Sequence, residues 1–156
     1  MSAKSKSPNV IKEVEKLTND LLDKLKIKGE VVVKKSEDDH ISVNIKTEET
    51  GLLIGHHGET LNSLQLILGI FLYKKLGKWV RLVLDVGDYR QAREESLREM
   101  VGRIIKEVEE AGSPVTLPYL SPFERRLVHM MVAESPNIAS ESVGEGRDRR
   151  LTIKPK

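Results

Sequence analysis

The sequence specifies an α+β protein built as two small α/β sandwich domains. The chain has 156 residues, enough for one ordinary domain or two compact ones. Segments with helical and with strand periodicity follow one another in short alternating blocks along it. Hydrophobic residues make up 38% and aromatic residues 4%, so Leu, Ile and Val must supply the cores and few rings remain to stack on bases.

Val10, Val14, Leu17, Leu21 and Leu25 recur at three- and four-residue steps, with Ile11 and Leu22 widening the stripe, which predicts a helix with one buried face before Gly29. Glu30 to Lys35 and His40 to Lys46 read as a hairpin around Ser36-Glu37-Asp38-Asp39. In its second strand Ile41, Val43 and Ile45 should face inward. A short helix at Gly51 to Ile54 leads into Gly55-His56-His57-Gly58, and a strongly apolar helix through Leu61, Leu64, Ile67, Leu68 and Phe71 ends at Gly77, a suitable C-terminal cap. Trp79 to Val86 is rich enough in Val and Leu for a buried strand.

Asp88, with Gln91 three residues on, predicts a capped helix through Tyr89, Ala92, Leu97, Met100, Val101, Ile104, Ile105 and Val108, stopped by Gly112-Ser113-Pro114. A short strand near Val115 to Leu117 precedes Ser121-Pro122-Phe123-Glu124, a capping box with Pro at the first helical position, and that helix should run to about Glu134. Ile138 to Val143 and Arg149 to Lys154 are strands around a turn carrying Gly144 and Gly146. Leu151 and Ile153 should then face the core, with Arg150, Thr152 and Lys154 outward.

Two constellations carry chemistry. Gly55-His56-His57-Gly58 joins two helical segments after two strands and opens the N-terminus of a helix. Free backbone N–H groups and the helix dipole favour a phosphate there, and glycines let a sugar–phosphate backbone approach closely. Leu53-Ile54-Gly55-His56-His57-Gly58-Glu59-Thr60-Leu61 resembles the signature of KH domains, whose loop clamps about four nucleotides, and the element order resembles the type II arrangement. That resemblance implies contacts from Ile54, Gly55, His56, His57, Gly58, Glu59 and Thr60. The variable pair is His-His where the family often carries Lys or Arg, which weakens phosphate attraction at neutral pH.

The second constellation is Arg125 and His129, four apart on one face of the capped helix, followed by the turn Gly144 to Lys154 with Arg147, Arg149 and Arg150. Glu145 and Asp148 dilute that cationic patch. The pattern resembles the R-three-H domain, a single-strand nucleic-acid-binding module, in which Arg125 and His129 are the name-giving residues; the three turn arginines are added on charge and position. A type II KH domain over 9–87 and an R-three-H domain over 88–156, after a flexible lead at 1–8, together resemble the Jag (KhpB/EloR) family of bacterial RNA-binding proteins. Many relatives carry a further N-terminal domain. The family implies post-transcriptional control linked to cell elongation, division or sporulation, and pairing with a second, smaller KH protein.

No cysteine is present, which removes disulfides, thiolate metal sites and thiol nucleophiles. Adjacent His56 and His57 suit one metal ion poorly, and no cofactor motif occurs. The run Leu66 to Tyr73 is far shorter than the ~20 apolar residues of a membrane span, and Met1 to Pro8 lacks a secretory signal's apolar stretch. The expectation is a cytoplasmic, non-catalytic binder of single-stranded RNA, with single-stranded DNA as an alternative ligand. Two other readings compete: an interaction scaffold or homodimer using the first helix or an exposed sheet edge, and a hydrolase using His56 or His129 as base, which lacks a nucleophile and an acid partner.

Overall fold

The computed structural model describes residues 7–156. It divides into two compact units, one ending at Arg90 and one comprising Gln91–Lys156. The expected lead at 1–8 lies outside the described residues except for Ser7 and Pro8, which already belong to the first helix.

The first unit contains α1 (Ser7–Leu25), β1 (Glu30–Lys35), β2 (Ile41–Lys46), α2 (Thr50–Ile54), α3 (Glu59–Leu76) and β3 (Leu82–Val86). The central strand β2 pairs antiparallel with β1, Val33 opposite Val43, and parallel with β3, Val43 opposite Leu84. Parallel neighbours cannot be joined by a tight turn, so the chain crosses over through α2, the glycine loop and α3. Alternation in β2 and β3 buries Ile41, Val43, Ile45, Leu82, Leu84 and Val86 against Val14 and Leu22 of α1, Leu53 of α2 and Leu61, Leu64, Leu68 and Leu72 of α3. Thr18 is buried within α1, its hydroxyl donating to the Val14 carbonyl at 2.7 Å. Gly77 ends α3 in a left-handed conformation, its N–H donating to the Tyr73 carbonyl at 2.9 Å.

The second unit holds most of α4 (Tyr89–Ala111), then β4 (Val115–Thr116), α5 (Pro122–Ala133), β5 (Ile138–Val143) and β6 (Arg150–Pro155). Its antiparallel sheet runs β4-β6-β5. Leu151 and Ile153 of the central strand are fully buried against Leu97, Val101 and Val108 of α4 and Val128 and Val132 of α5.

Three local expectations change. The strand expected from Trp79 begins only at Leu82. Trp79 lies on α3 instead, where Gly69 leaves room for the indole and Tyr73 is 5.9 Å away ring to ring, and it stays 62% exposed. The first turn of α4 is met by Asp85 rather than Asp88: Asp85 Oδ1 accepts from the Arg90 N–H at 3.4 Å, while Gln91 donates to Glu95. Arg147 sits in a single 3-10 turn, Gly146–Asp148, and β6 begins at Arg150 rather than Arg149.

The capping box of α5 forms as its sequence specifies. Ser121 Oγ accepts from the Glu124 N–H at 3.2 Å and Glu124 Oε2 accepts from the Ser121 N–H at 2.8 Å. The other carboxylate oxygen takes the Arg93 Nε–H at 2.7 Å, so one buried group ties α4 to the start of α5. Removing one partner of a buried pair strands the other. Glu124→Ala should therefore lower stability by about 3 kcal/mol, and Glu124→Gln by less because an acceptor remains; urea unfolding of both variants checks this, and equal, negligible losses would contradict it.

Candidate nucleic-acid interface

In the first unit the loop geometry follows from sterics. Gly55 and Gly58 have φ of 68° and 81°, in the left-handed region that favours glycine. Packing enforces both positions: a Cβ at Gly55 would overlap the Thr60 side chain, and one at Gly58 would lie 3.0 Å from the Tyr89 ring. His57 between them is also left-handed, at φ 52°. The two imidazoles stand edge to face, 4.0 Å between centroids, with His56 exposed and His57 half-buried. Gly58 caps α3 without any side-chain hydrogen bond to its first turn. Ile54, Thr60 and exposed Glu59 flank this loop, so six of the seven expected first-unit positions are at least partly exposed and Gly58 alone is buried.

In the second unit Arg125, His129 and Arg149 line one shallow groove of about 420 Å³, with Pro122, Arg126, Met130, Ala133 and Ser142. His129 is fixed between two hydroxyls of β5, Nδ1 2.6 Å from Ser140 Oγ and Nε2 3.0 Å from Ser142 Oγ. Alternation along β5 puts both serines on the face that meets α5. Arg125 is braced by donation to the Leu120 carbonyl at 2.8 Å. Burial, then the guanidiniums of Arg125 and Arg149, hold the His129 pKa below its ordinary 6.5. Its ring is thus neutral at pH 7, and the groove's permanent charge comes from arginine.

The other turn arginines do not line this groove. Arg150 donates to the Arg147 and Arg149 carbonyls at 2.6 and 3.1 Å and lies over the Tyr119 ring, 5.6 Å from its centroid, while Arg147 is exposed on the turn. Lys154 pairs with Glu141 at 2.5 Å. Sequence reasoning missed Arg126, Ser140 and Ser142. The alternating Ser140-Glu141-Ser142 in a strand was the available signal for the serines, but nothing local says that their hydroxyls meet a histidine eleven residues away. Among the described residues no group of His, Cys, Asp and Glu is placed to hold a metal ion, and no helix is long and apolar enough to cross a membrane.

A glycine loop mounted between two helices on a β1-β2-β3 sheet, followed by an Arg–His helix on a second small sheet, defines a KH plus R-three-H protein. Residues 12–84 match the family described as KhpA/KhpB, KH domain, and residues 95–155 match the R-three-H domain family. RNA-binding protein KhpB of Clostridium symbiosum is 32% identical over 113 residues, covering 72% of this chain and 51% of the relative. The protein of the same name from Lactiplantibacillus plantarum is 36% identical over 114 residues, 73% of this chain and 35% of the relative. That from Bacillus subtilis is 28% identical over 162 residues, 97% of this chain and 77% of the relative. The chain belongs to the KhpB (Jag) family, and it spans about half or less of the length of the first two of these relatives.

The lowered pKa of His129 fixes a pH dependence. Between that lowered value and 6.5 the unfolded chain binds more protons than the folded one, so the histidine's contribution makes stability fall as pH drops through this window and level off below it. Removing a neighbouring cation relieves part of the shift. NMR titration of the imidazole should give a midpoint below 6.5 in the wild type and a higher one in Arg149→Ala; equal midpoints would detach Arg149 from the groove.

Proposed function

We propose that the chain binds single-stranded RNA without catalysing a reaction on it, using one site in each unit. The domains divide as 9–87 and 88–156. In the first, backbone approach at Gly55 and Gly58, with Ile54, His56, His57, Glu59 and Thr60 around them, takes the sugar–phosphate chain. In the second, Arg125 and Arg149 converge on the ring of His129, and Arg147 and Arg150 extend the cationic turn. This convergence of three arginines on one groove, Arg125 and Arg126 from α5 and Arg149 from the turn before β6, is the observation that carries the reading. The names of the relatives agree with it. Two modest sites in one chain reinforce each other through effective concentration. Action in the cytoplasm, in post-transcriptional control linked to elongation, division or sporulation, is the setting that the family implies.

Titrations of the whole chain with an RNA oligomer over a salt series test both sites. Arg125→Ala combined with Arg149→Ala should flatten the log–log salt slope by ~0.7 for each phosphate that the variant no longer neutralises. His56→Asp with His57→Asp places two negative charges on the loop, leaves both glycines in place, and should weaken binding at least tenfold with folding intact. Unchanged affinity and slope in folded variants would remove these residues as contacts; a preference for DNA oligomers of the same sequence would reassign the ligand.

A protein partner is supported by a separate observation. The outer face of α3 leaves Leu66 58% exposed and also exposes Ile67, Ile70 and Phe71, an apolar row that soluble proteins generally cover. This face, rather than the first helix or a sheet edge, is the better surface for a second copy of the chain or for the smaller KH protein. Ile70→Asp should convert a dimer to a monomer in analytical ultracentrifugation, or abolish co-sedimentation with the smaller KH protein; a wild type that is monomeric and ignores that protein would remove this reading.

A further inference from the structure

Strand β3 is an edge of its sheet, bonded to β2 on one side only. Residues 81 and 87 turn their backbone groups toward β2, which leaves those of Leu84 on the open side. They are not left bare. The Leu84 N–H donates to Gln65 Oε1 of α3 at 2.9 Å, and the Leu84 carbonyl accepts from Arg90 Nε at 2.8 Å. One terminal nitrogen of Arg90 also donates to Gln65 Oε1 at 3.1 Å and to Asn62 Oδ1 at 3.2 Å. The guanidinium is therefore locked in plane along the strand edge, between β3 and α3.

This arrangement adjoins the glycine loop. Tyr89, the residue before Arg90, packs its ring under Gly58. Asn62 stands four residues beyond Gly58 on α3, about 6 Å along the helix axis, so the base of a nucleotide whose phosphate lies at the loop comes within reach of Asn62 and Arg90. Three donor groups are unused there: the second terminal nitrogen of Arg90 and the amide nitrogens of Asn62 and Gln65 have no protein partner among the described residues. The charge is locally balanced. Asp85 accepts from the N–H groups of Val86 and Arg90 beside it, and Asp88 lies close to Asp85. A site with one guanidinium, two nearby carboxylates and an excess of N–H donors suits a neutral, acceptor-rich base edge better than another phosphate.

We propose that Arg90 and Asn62, held by Gln65 and the Leu84 backbone, read a nucleobase presenting two adjacent acceptors, the O6/N7 edge of guanine, next to the Gly55–Gly58 loop. Arginine supplies donors in a fixed fork, and its alignment here is set before the ligand arrives. The inference rests on the RNA-binding reading and assigns base selectivity to residues outside the loop.

The test uses the full chain and oligouridine probes carrying one central guanosine, adenosine, inosine or 7-deazaguanosine, with affinity measured by fluorescence anisotropy at fixed salt. Guanosine should bind about tenfold tighter than adenosine, the discrimination of one good two-point base contact. Inosine, which keeps O6 and N7, should retain that preference, and 7-deazaguanosine should lose most of it. Arg90→Lys and Asn62→Ala should each bring the guanosine-to-adenosine ratio to within about twofold of one. Asn62 is exposed on the helix surface, so its variant tests the idea even if Arg90→Lys fails to fold. A wild-type ratio near one, or a preference that survives Asn62→Ala and a folded Arg90→Lys, would show that Arg90 only seals the strand edge and would overturn the proposal. Absence of binding to every probe would overturn the RNA-binding reading with it.

Discussion

The parallel pairing of β2 with β3 is the constraint on which the first unit depends. Two parallel neighbours demand a long crossover, and the crossover here carries the glycine loop proposed as the contact site. Because α2 and α3 must return the chain to the start of β3, the junction between them reverses sharply, with positive φ at Gly55, His57 and Gly58, a backbone that glycine adopts most readily. The close approach of Thr60 to one glycine and of Tyr89 to the other fixes the loop from both sides. A site built from backbone needs such support, since it has few side chains of its own to hold it in shape.

The second unit solves the opposite problem. Its groove is lined by long, flexible cations, of which Arg125 is restrained through the Leu120 carbonyl. His129 is restrained most, with a serine hydroxyl on each ring nitrogen. In the neutral ring one nitrogen donates and the other accepts, and hydroxyls can meet either need. The imidazole therefore contributes shape to the groove at neutral pH, while arginine contributes charge that does not titrate.

What was legible in the sequence was whatever depends on near neighbours. The capping box at Ser121 and Glu124, the alternation of Ile41, Val43 and Ile45, the glycine cap at Gly77 and the loop itself all announce their structure within a few residues. The misplacements arose where a distant partner outcompeted local propensity. Trp79 has the character of a strand residue but lies on α3, because Gly69 opens a place for its ring. Asp88 has the position of a cap, yet Asp85, anchored at the end of β3, reaches the helix's first turn. Arg149 and Arg150 are adjacent and look equivalent, but Arg149, at the end of the turn, lines the groove while Arg150, at the start of β6, lies over Tyr119. The pairing of Ser140 and Ser142 with His129, and of Arg90 with the edge of β3, had no local signature at all.

The two sites divide the work of recognition by chemistry. A loop that meets its ligand through backbone and carries no Lys or Arg gains little from counterion release, so its contribution should be comparatively insensitive to salt. The Arg125–Arg149 groove, by contrast, has fixed charges and weak means of distinguishing bases. On the proposed reading, affinity at low salt then comes mainly from the second unit. The proposed selectivity lies in the first, where the guanidinium of Arg90 is held along the β3 edge and Asp85 stands beside it. Near-equal counts of 26 basic and 24 acidic residues leave attraction to a polyanion to local clusters of charge rather than to the chain's net charge.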